Sequence, residues 1–157
     1  MPSHYKGDLN RLRSLNAFIN LMRASESVIS RLQKRLSAEG LTASQFGALE
    51  TLFHLGPLCQ TELGKKLLKT DGNVTMVVDH LEKRGLARRV RAGEDRRYVS
   101  VQLTSKGRAL IQKIFPRHAA AIQEEMSALS ASEQETLRRL CRKLGRKNEI
   151  TKKEIKK

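Results

Sequence analysis

The chain has 157 residues, of which 39% are hydrophobic and 30% charged, with a formal net charge of +15. That length suits a single domain around one core. No apolar run approaches the ~20 residues needed to span a bilayer, and Met1 to Arg13 lacks the apolar stretch of a secretory signal, so the expectation is a soluble cytoplasmic protein with no membrane partner.

A charge this far from zero attracts polyanions such as nucleic acid. Its distribution matters more than its total. From Arg142 to Lys157 there are eight basic residues and two glutamates, so this tail holds +6 of the +15. The remaining +9 belongs to the body. Aromatic residues make up only 4% and Trp is absent, so Leu, Ile, Val and Ala must supply the core.

Leu9 to Leu36 reads as one long helix, with Leu12, Leu15, Ile19, Met22, Ile29, Leu32 and Leu36 along one stripe. A domain of this size cannot cover a helix that long by itself, which points to a second chain. Gly40 ends it. Thr42 and Gln45 have the spacing of a capping box, opening a helix to about Leu55 that carries Phe46, Leu49, Leu52 and Phe53. Gly56-Pro57 stops it.

A short helix follows over about Gln60–Leu68, then a turn over Lys69–Gly72, then a helix from about Gly72 to Arg84. Val74, Val77, Val78 and Leu81 form its apolar face, and Asn73, Thr75, Met76, Asp79, His80 and Lys83 stand opposite. Gly85 suits a left-handed cap. The period then changes. Ala87–Arg91 is short and extended, Ala92 to Asp95 is a turn, and Tyr98–Leu103 alternates with period two, so a hairpin is predicted. Thr104 caps a further helix through Leu110, Ile111, Ile114 and Phe115, which Pro116 should kink or break. It resumes through Ile122 to Leu129. Ser130 and Glu133 form a second capping box before a last helix through Leu137, Leu140 and Leu144.

Short helix, tight turn, polar-faced helix and arginine-rich hairpin make a winged helix-turn-helix. The fold class predicted is mainly α with a small β-hairpin wing, flanked by long dimerisation helices. The boundaries are 1–40 for the N-terminal dimerisation helix, 41–104 for the DNA-binding region, 105–146 for the C-terminal dimerisation helices and 147–157 for a basic tail. A helix can enter the major groove and read base edges with polar side chains. Thr70, Gly72, Asn73, Thr75, Met76, Asp79 and His80 are the candidate readers, with Asn73 suited to adenine and Met76 to a thymine methyl. Arg84, Arg88, Arg89, Arg91, Arg96 and Arg97 put six arginines within fourteen residues, and arginine at a hairpin tip fits the negative potential of a narrow minor groove. Asp95 can hold Arg97 in place by a charge-assisted hydrogen bond. Gln60 joins the candidate DNA contacts.

The segment VTMVVDHLEKRGLARRVRAGEDRRYVSVQLTSKG, Val74 to Gly107, resembles the MarR family of bacterial transcriptional regulators. The matching elements are Val74-Thr75, Leu81 to Leu86, Asp95-x-Arg97 and Leu103-Thr104-x-Lys106-Gly107, and the order of the flanking helices extends the resemblance to about residues 9–145. It implies an obligate homodimer binding a palindromic site in double-stranded DNA at the nucleoid, most often as a repressor. It also implies Arg97 in the minor groove, braced by Asp95, and Arg89 on the flanking backbone. A small aromatic or phenolic effector is implied between the dimer helices and the reading head, where Phe18, Met22, Arg23, Phe46, Phe53 and His54 are candidates. The phenylalanines and Met22 equally suit a plain core. The strings LFHLGP and IFPRH resemble a subgroup responding to phenolic or quinone-like compounds.

Two other readings stay open. A basic winged helix can bind DNA without sequence preference, as architectural proteins do. Cys59 precedes a helix, where thiols are more reactive, so a redox-sensing regulator is the other; Cys59 also suits a small buried hydrophobe. His4, His54, His80 and His118 lack metal-ligand spacing, and no phosphate loop or nucleophile elbow is present. No enzyme activity, metal or cofactor is expected.

Overall fold

The apolar stripe from Leu12 to Leu36 does form one helix, α1 (Leu9–Ser37), in a computed structural model that describes residues 5–91 and 99–146. Asp8 caps it by accepting from the amides of Asn10 and Arg11 at 3.2 Å each. Only Leu36 of this helix is buried, and Leu9, Leu15, Phe18, Met22 and Ile29 stand exposed. The turn after it closes with the Leu41 amide on the Leu36 carbonyl (3.1 Å) and Gly40 at φ +67°. Gln33 clamps that turn, donating to the Leu41 carbonyl and accepting from the Ala43 amide.

The Thr42–Gln45 capping box opens α2 (Ala43–Leu55) with both reciprocal hydrogen bonds in place. A two-residue strand, β1 (Leu58–Cys59), precedes α3 (Gln60–Leu67) and was not foreseen, because two residues carry no periodicity. Next come α4 (Asp71–Lys83), β2 (Ala87–Arg91) and β3 (Val99–Leu103). The sheet is antiparallel in the order β1-β3-β2, with Leu58 opposite Val101 and Ala87 opposite Leu103. Val74, Val78 and Leu81 are fully buried, as their spacing predicts. They join Leu41, Phe46, Leu49, Leu52, Leu63, Leu86, Val101 and Ile111 in one core.

Leu68, between α3 and α4, adopts the left-handed conformation at φ +52° and is 91% exposed. Leucine is disfavoured there because its Cβ crowds the following carbonyl. Thr104 caps α5 (Ser105–Met126), accepting from the Gly107 amide at 3.0 Å while its hydroxyl donates to the Gly85 carbonyl at 2.6 Å. The Thr104 amide donates to the Leu86 carbonyl at 3.1 Å, and Lys106 Nζ to the Arg84 carbonyl at 2.9 Å. Gly107 permits this close approach. A Cβ there would lie 1.9 Å from the Leu86 oxygen.

Of the kink or break expected at Pro116, the break does not occur: α5 runs through it without interruption. The missing N–H removes one hydrogen bond, but residues on both sides are anchored. Ile111 and Ile114 lie in the core, Phe115 packs on His54, and Arg117 pairs with Glu39.

The chain divides into two compact units, up to Ala119 and from Ala120 onward, with the division inside α5. In the second unit Ser130 and Glu133 complete the capping box of α6 (Ala131–Gly145). Gln134 Nε2 donates to the Met126 and Leu129 carbonyls, fixing the turn before α6. No residue of α6 is buried; Leu137, Leu140 and Leu144 are exposed.

Candidate nucleic-acid interface

Asn73, Met76 and His80 are exposed on α4, together with Gly72 at its first turn and Thr70 at its N-cap. Their spacing of three and four residues sets the three side chains on one face. At 100° per residue, α4 carries three faces roughly 120° apart. One holds Asn73, Met76 and His80. A second holds the buried Val74, Val78 and Leu81. The third holds Thr75, Asp79 and Glu82.

That third face is tied to its neighbours. Thr75 Oγ1 donates to the Asp71 carbonyl at 2.9 Å and accepts from Gln60 Nε2 of α3 at 2.6 Å. Gln60 Oε1 accepts from Arg89 Nη2 of β2 at 3.2 Å. Arg89 Nη1 lies 2.7 Å from Asp79 Oδ1 and also pairs with Glu82 Oε2. The Glu82 carboxylate further accepts from the Arg89 amide at 2.6 Å. Burial by itself would disfavour the Arg89 charge. The hydrogen bonds and charges of Asp79 and Glu82 outweigh that effect and raise its pKa above the usual arginine value.

Arg84, expected at the DNA, directs Nη1 to the Gly40 carbonyl at 2.6 Å and Nη2 towards that of Glu39. It therefore joins the end of α4 to the α1–α2 turn, a role that the arginine cluster alone did not suggest. Arg88 and Arg91 are exposed on β2. Asp95, Arg96 and Arg97, with the expected bracing of Arg97, lie outside the described residues.

The effector candidates separate into two groups. Phe46 is buried in the core and its ring lies 4.2 Å from that of His118. Phe53 meets His54 edge-on at 5.1 Å, and His54 meets Phe115 at 5.0 Å. Arg108 lies 5.6 Å over the Phe53 ring. Phe18, Met22 and Arg23 stand exposed on α1, outside these ring contacts. His118 and Arg108 were not among the site candidates, although the Phe115–His118 spacing on α5 was a usable signal. His118 Nδ1 is buried without a partner. Burial lowers the pKa of His118, with Glu50 acting weakly against it.

Cys59 is half-buried, ending β1 opposite Ser100 and capping α3, and its amide donates to Glu62 Oε2 at 3.3 Å. Cys141 is exposed on α6. Among the described residues no cluster of three potential metal ligands occurs, and no helix is long and apolar enough to cross a membrane.

The sequence pattern of the MarR family matches residues 41–99, from the turn before α2 to the start of β3. The HTH-type transcriptional regulator MhqR of Bacillus subtilis (strain 168) is 38% identical over 133 residues, covering 85% of this chain and 92% of MhqR. The chain belongs to the MarR family. The transcriptional repressor MprA of Escherichia coli (strain K12), 32% identical, covers 78% of this chain and 71% of its own length. Two solved structures share the fold of this MarR-family chain. BpsR of Bordetella bronchiseptica, whose DNA binding is regulated by 6-hydroxynicotinic acid, superposes with a TM-score of 0.76 at 28% identity, over 82% of this chain and 98% of BpsR. A cysteine-to-serine variant of E. coli MarR complexed with operator DNA superposes with a TM-score of 0.74 at 28% identity, over 88% and 99%. The relatives are winged-helix transcriptional regulators and repressors, not enzymes.

Proposed function

We propose that this MarR-family protein is a homodimeric, sequence-specific repressor that binds a palindromic operator and is released by a small aromatic effector. The observation that carries this reading is the exposed face of Asn73, Met76 and His80 on α4, beside a strand whose five residues include three arginines. Thr70, Gly72, Asn73, Met76 and His80 read the major groove, and Arg91, Arg96 and Arg97 meet the backbone and minor groove. The exposed apolar residues of α1 and α6 support a dimer, since a monomer would leave both stripes in water. Two-fold symmetry then sets the recognition helices about one DNA turn apart, roughly 34 Å. The regulation of BpsR by 6-hydroxynicotinic acid and the operator complex of MarR support the effector and operator parts of the reading. The protein then acts in the cytoplasm, at the nucleoid.

Selection of bound duplexes from a random DNA pool tests this directly. An enriched inverted repeat is expected, and Arg97→Ala should weaken binding to it by about 1–3 kcal/mol. No enrichment would leave the architectural, sequence-independent reading in its place. Titration with 6-hydroxynicotinic acid and salicylate should lower affinity for the enriched repeat, and an unchanged affinity with both removes the aromatic effector class. A monomer in sedimentation at micromolar concentration removes the dimer.

A further inference from the structure

The geometry points to Arg89 as a positioning residue that fixes the roll of the recognition helix, with Asp79, Glu82 and Gln60 as its partners, and not as a phosphate contact. This rests on the DNA-binding reading above. Four of the five guanidinium N–H groups have acceptors within the protein: Asp79 and Glu82 at Nη1, and Gln60 Oε1 at Nη2 and Nε. The side chain is only 26% exposed. One cation between two carboxylates leaves a local charge of −1, which repels a phosphate. The same hydrogen bonds engage Asp79 and Thr75, two further residues whose types suit base contact.

The linkage runs from the Asp71 carbonyl through Thr75, Gln60 and Arg89 to Asp79 and Glu82, so it joins α3, α4 and β2. It holds the face of α4 about 120° from the one that carries Asn73, Met76 and His80. A roll of about 20° moves a side-chain end 5–6 Å from the helix axis through about 2 Å. That displacement is enough to break a bidentate base contact, so a brace on this face governs sequence discrimination more than general attraction to DNA.

Two variants of the full chain test this without adding negative charge. Arg89→Lys keeps the cation but lacks the planar fork, and Asp79→Asn keeps the shape and removes an anion. Affinity would be measured against the enriched repeat and against a scrambled duplex of equal length, over a range of salt, after thermal melting confirms that both variants are folded. The brace predicts that each variant loses tenfold or more on the repeat. Affinity for the scrambled duplex should hold or rise, and the salt slope should be unchanged. A phosphate contact predicts instead that Arg89→Lys stays near wild type, or loses equally on both duplexes with a slope smaller by about 0.9; either result overturns the inference. So does a loss in Asp79→Asn alone, which would make Asp79 a direct base reader, and so does wild-type affinity in both variants. If the random pool yields no enriched repeat, the sequence-specific reading itself fails, a result distinct from every arm above, and the inference falls with it.

Discussion

Gly107→Ala should unseat the start of α5. The added Cβ would stand 1.9 Å from the Leu86 oxygen, 2.8 Å from its carbonyl carbon and 3.2 Å from its Cα. These are backbone atoms between α4 and β2, so no rotamer change relieves the clash. The first turn of α5 must instead withdraw by more than about 1 Å to restore van der Waals contact. Three hydrogen bonds span that gap: the Thr104 amide to Leu86, the Thr104 hydroxyl to Gly85 and Lys106 Nζ to Arg84. At about 1 kcal/mol each, less for the exposed lysine, the expected destabilisation is about 2–3 kcal/mol. For a chain of this length that lowers Tm by about 5–10 °C. Urea denaturation at fixed protein concentration reads it, with Gly72→Ala as the control. No atom lies within 4 Å of a Cβ at Gly72, so that variant should lose nothing and gain up to about 1 kcal/mol from helix propensity. A loss below about 1 kcal/mol in Gly107→Ala, or equal losses in both variants, would refute the close-approach argument.

Leu68→Gly should raise stability by up to about 1 kcal/mol. Relief of the left-handed leucine, about 1–2 kcal/mol, exceeds the extra freedom glycine has when unfolded, and a side chain 91% exposed gives up little burial; a lowered melting temperature contradicts this. His118 gives a pH dependence. Its folded pKa lies below the ordinary 6.5, so the unfolded chain takes up a proton first as pH falls. The contribution of this group is therefore present above about pH 6.5 and is lost as pH falls through the lowered value. Between about pH 7 and pH 5 the wild type should lose more stability than His118→Gln, and parallel melting curves across that range would rule His118 out.

Elements whose ends carry their own chemistry are legible in the sequence. Thr42–Gln45 and Ser130–Glu133 mark α2 and α6 because capping is a contact between residues three apart. Val74, Val78 and Leu81 mark α4 because burial repeats with the helix. What depends on distant partners was not legible. β1 exists only because Val101 and Ser100 offer it a ladder. Arg84 reaches a carbonyl 44 positions away, and Arg89 reaches Gln60 across 29. From sequence, an arginine beside a recognition helix looks free for phosphate, since its acceptors lie on other elements. The break expected at Pro116 fails for a related reason: the local rule is sound, but anchored neighbours keep the helix continuous.

The sheet also has features that discourage pairing with other copies of itself. β3, which carries Val99, Val101 and Leu103, lies between β1 and β2 and presents no free edge. One outer edge is β1, too short at two residues to template another strand. The other is β2, where Arg88 and Arg91 stand exposed, and charge on an edge strand discourages intermolecular ladders. The basic strand proposed to face DNA thus serves as an aggregation guard. Replacing its exposed arginines to weaken nucleic-acid binding would at the same time create an adhesive edge.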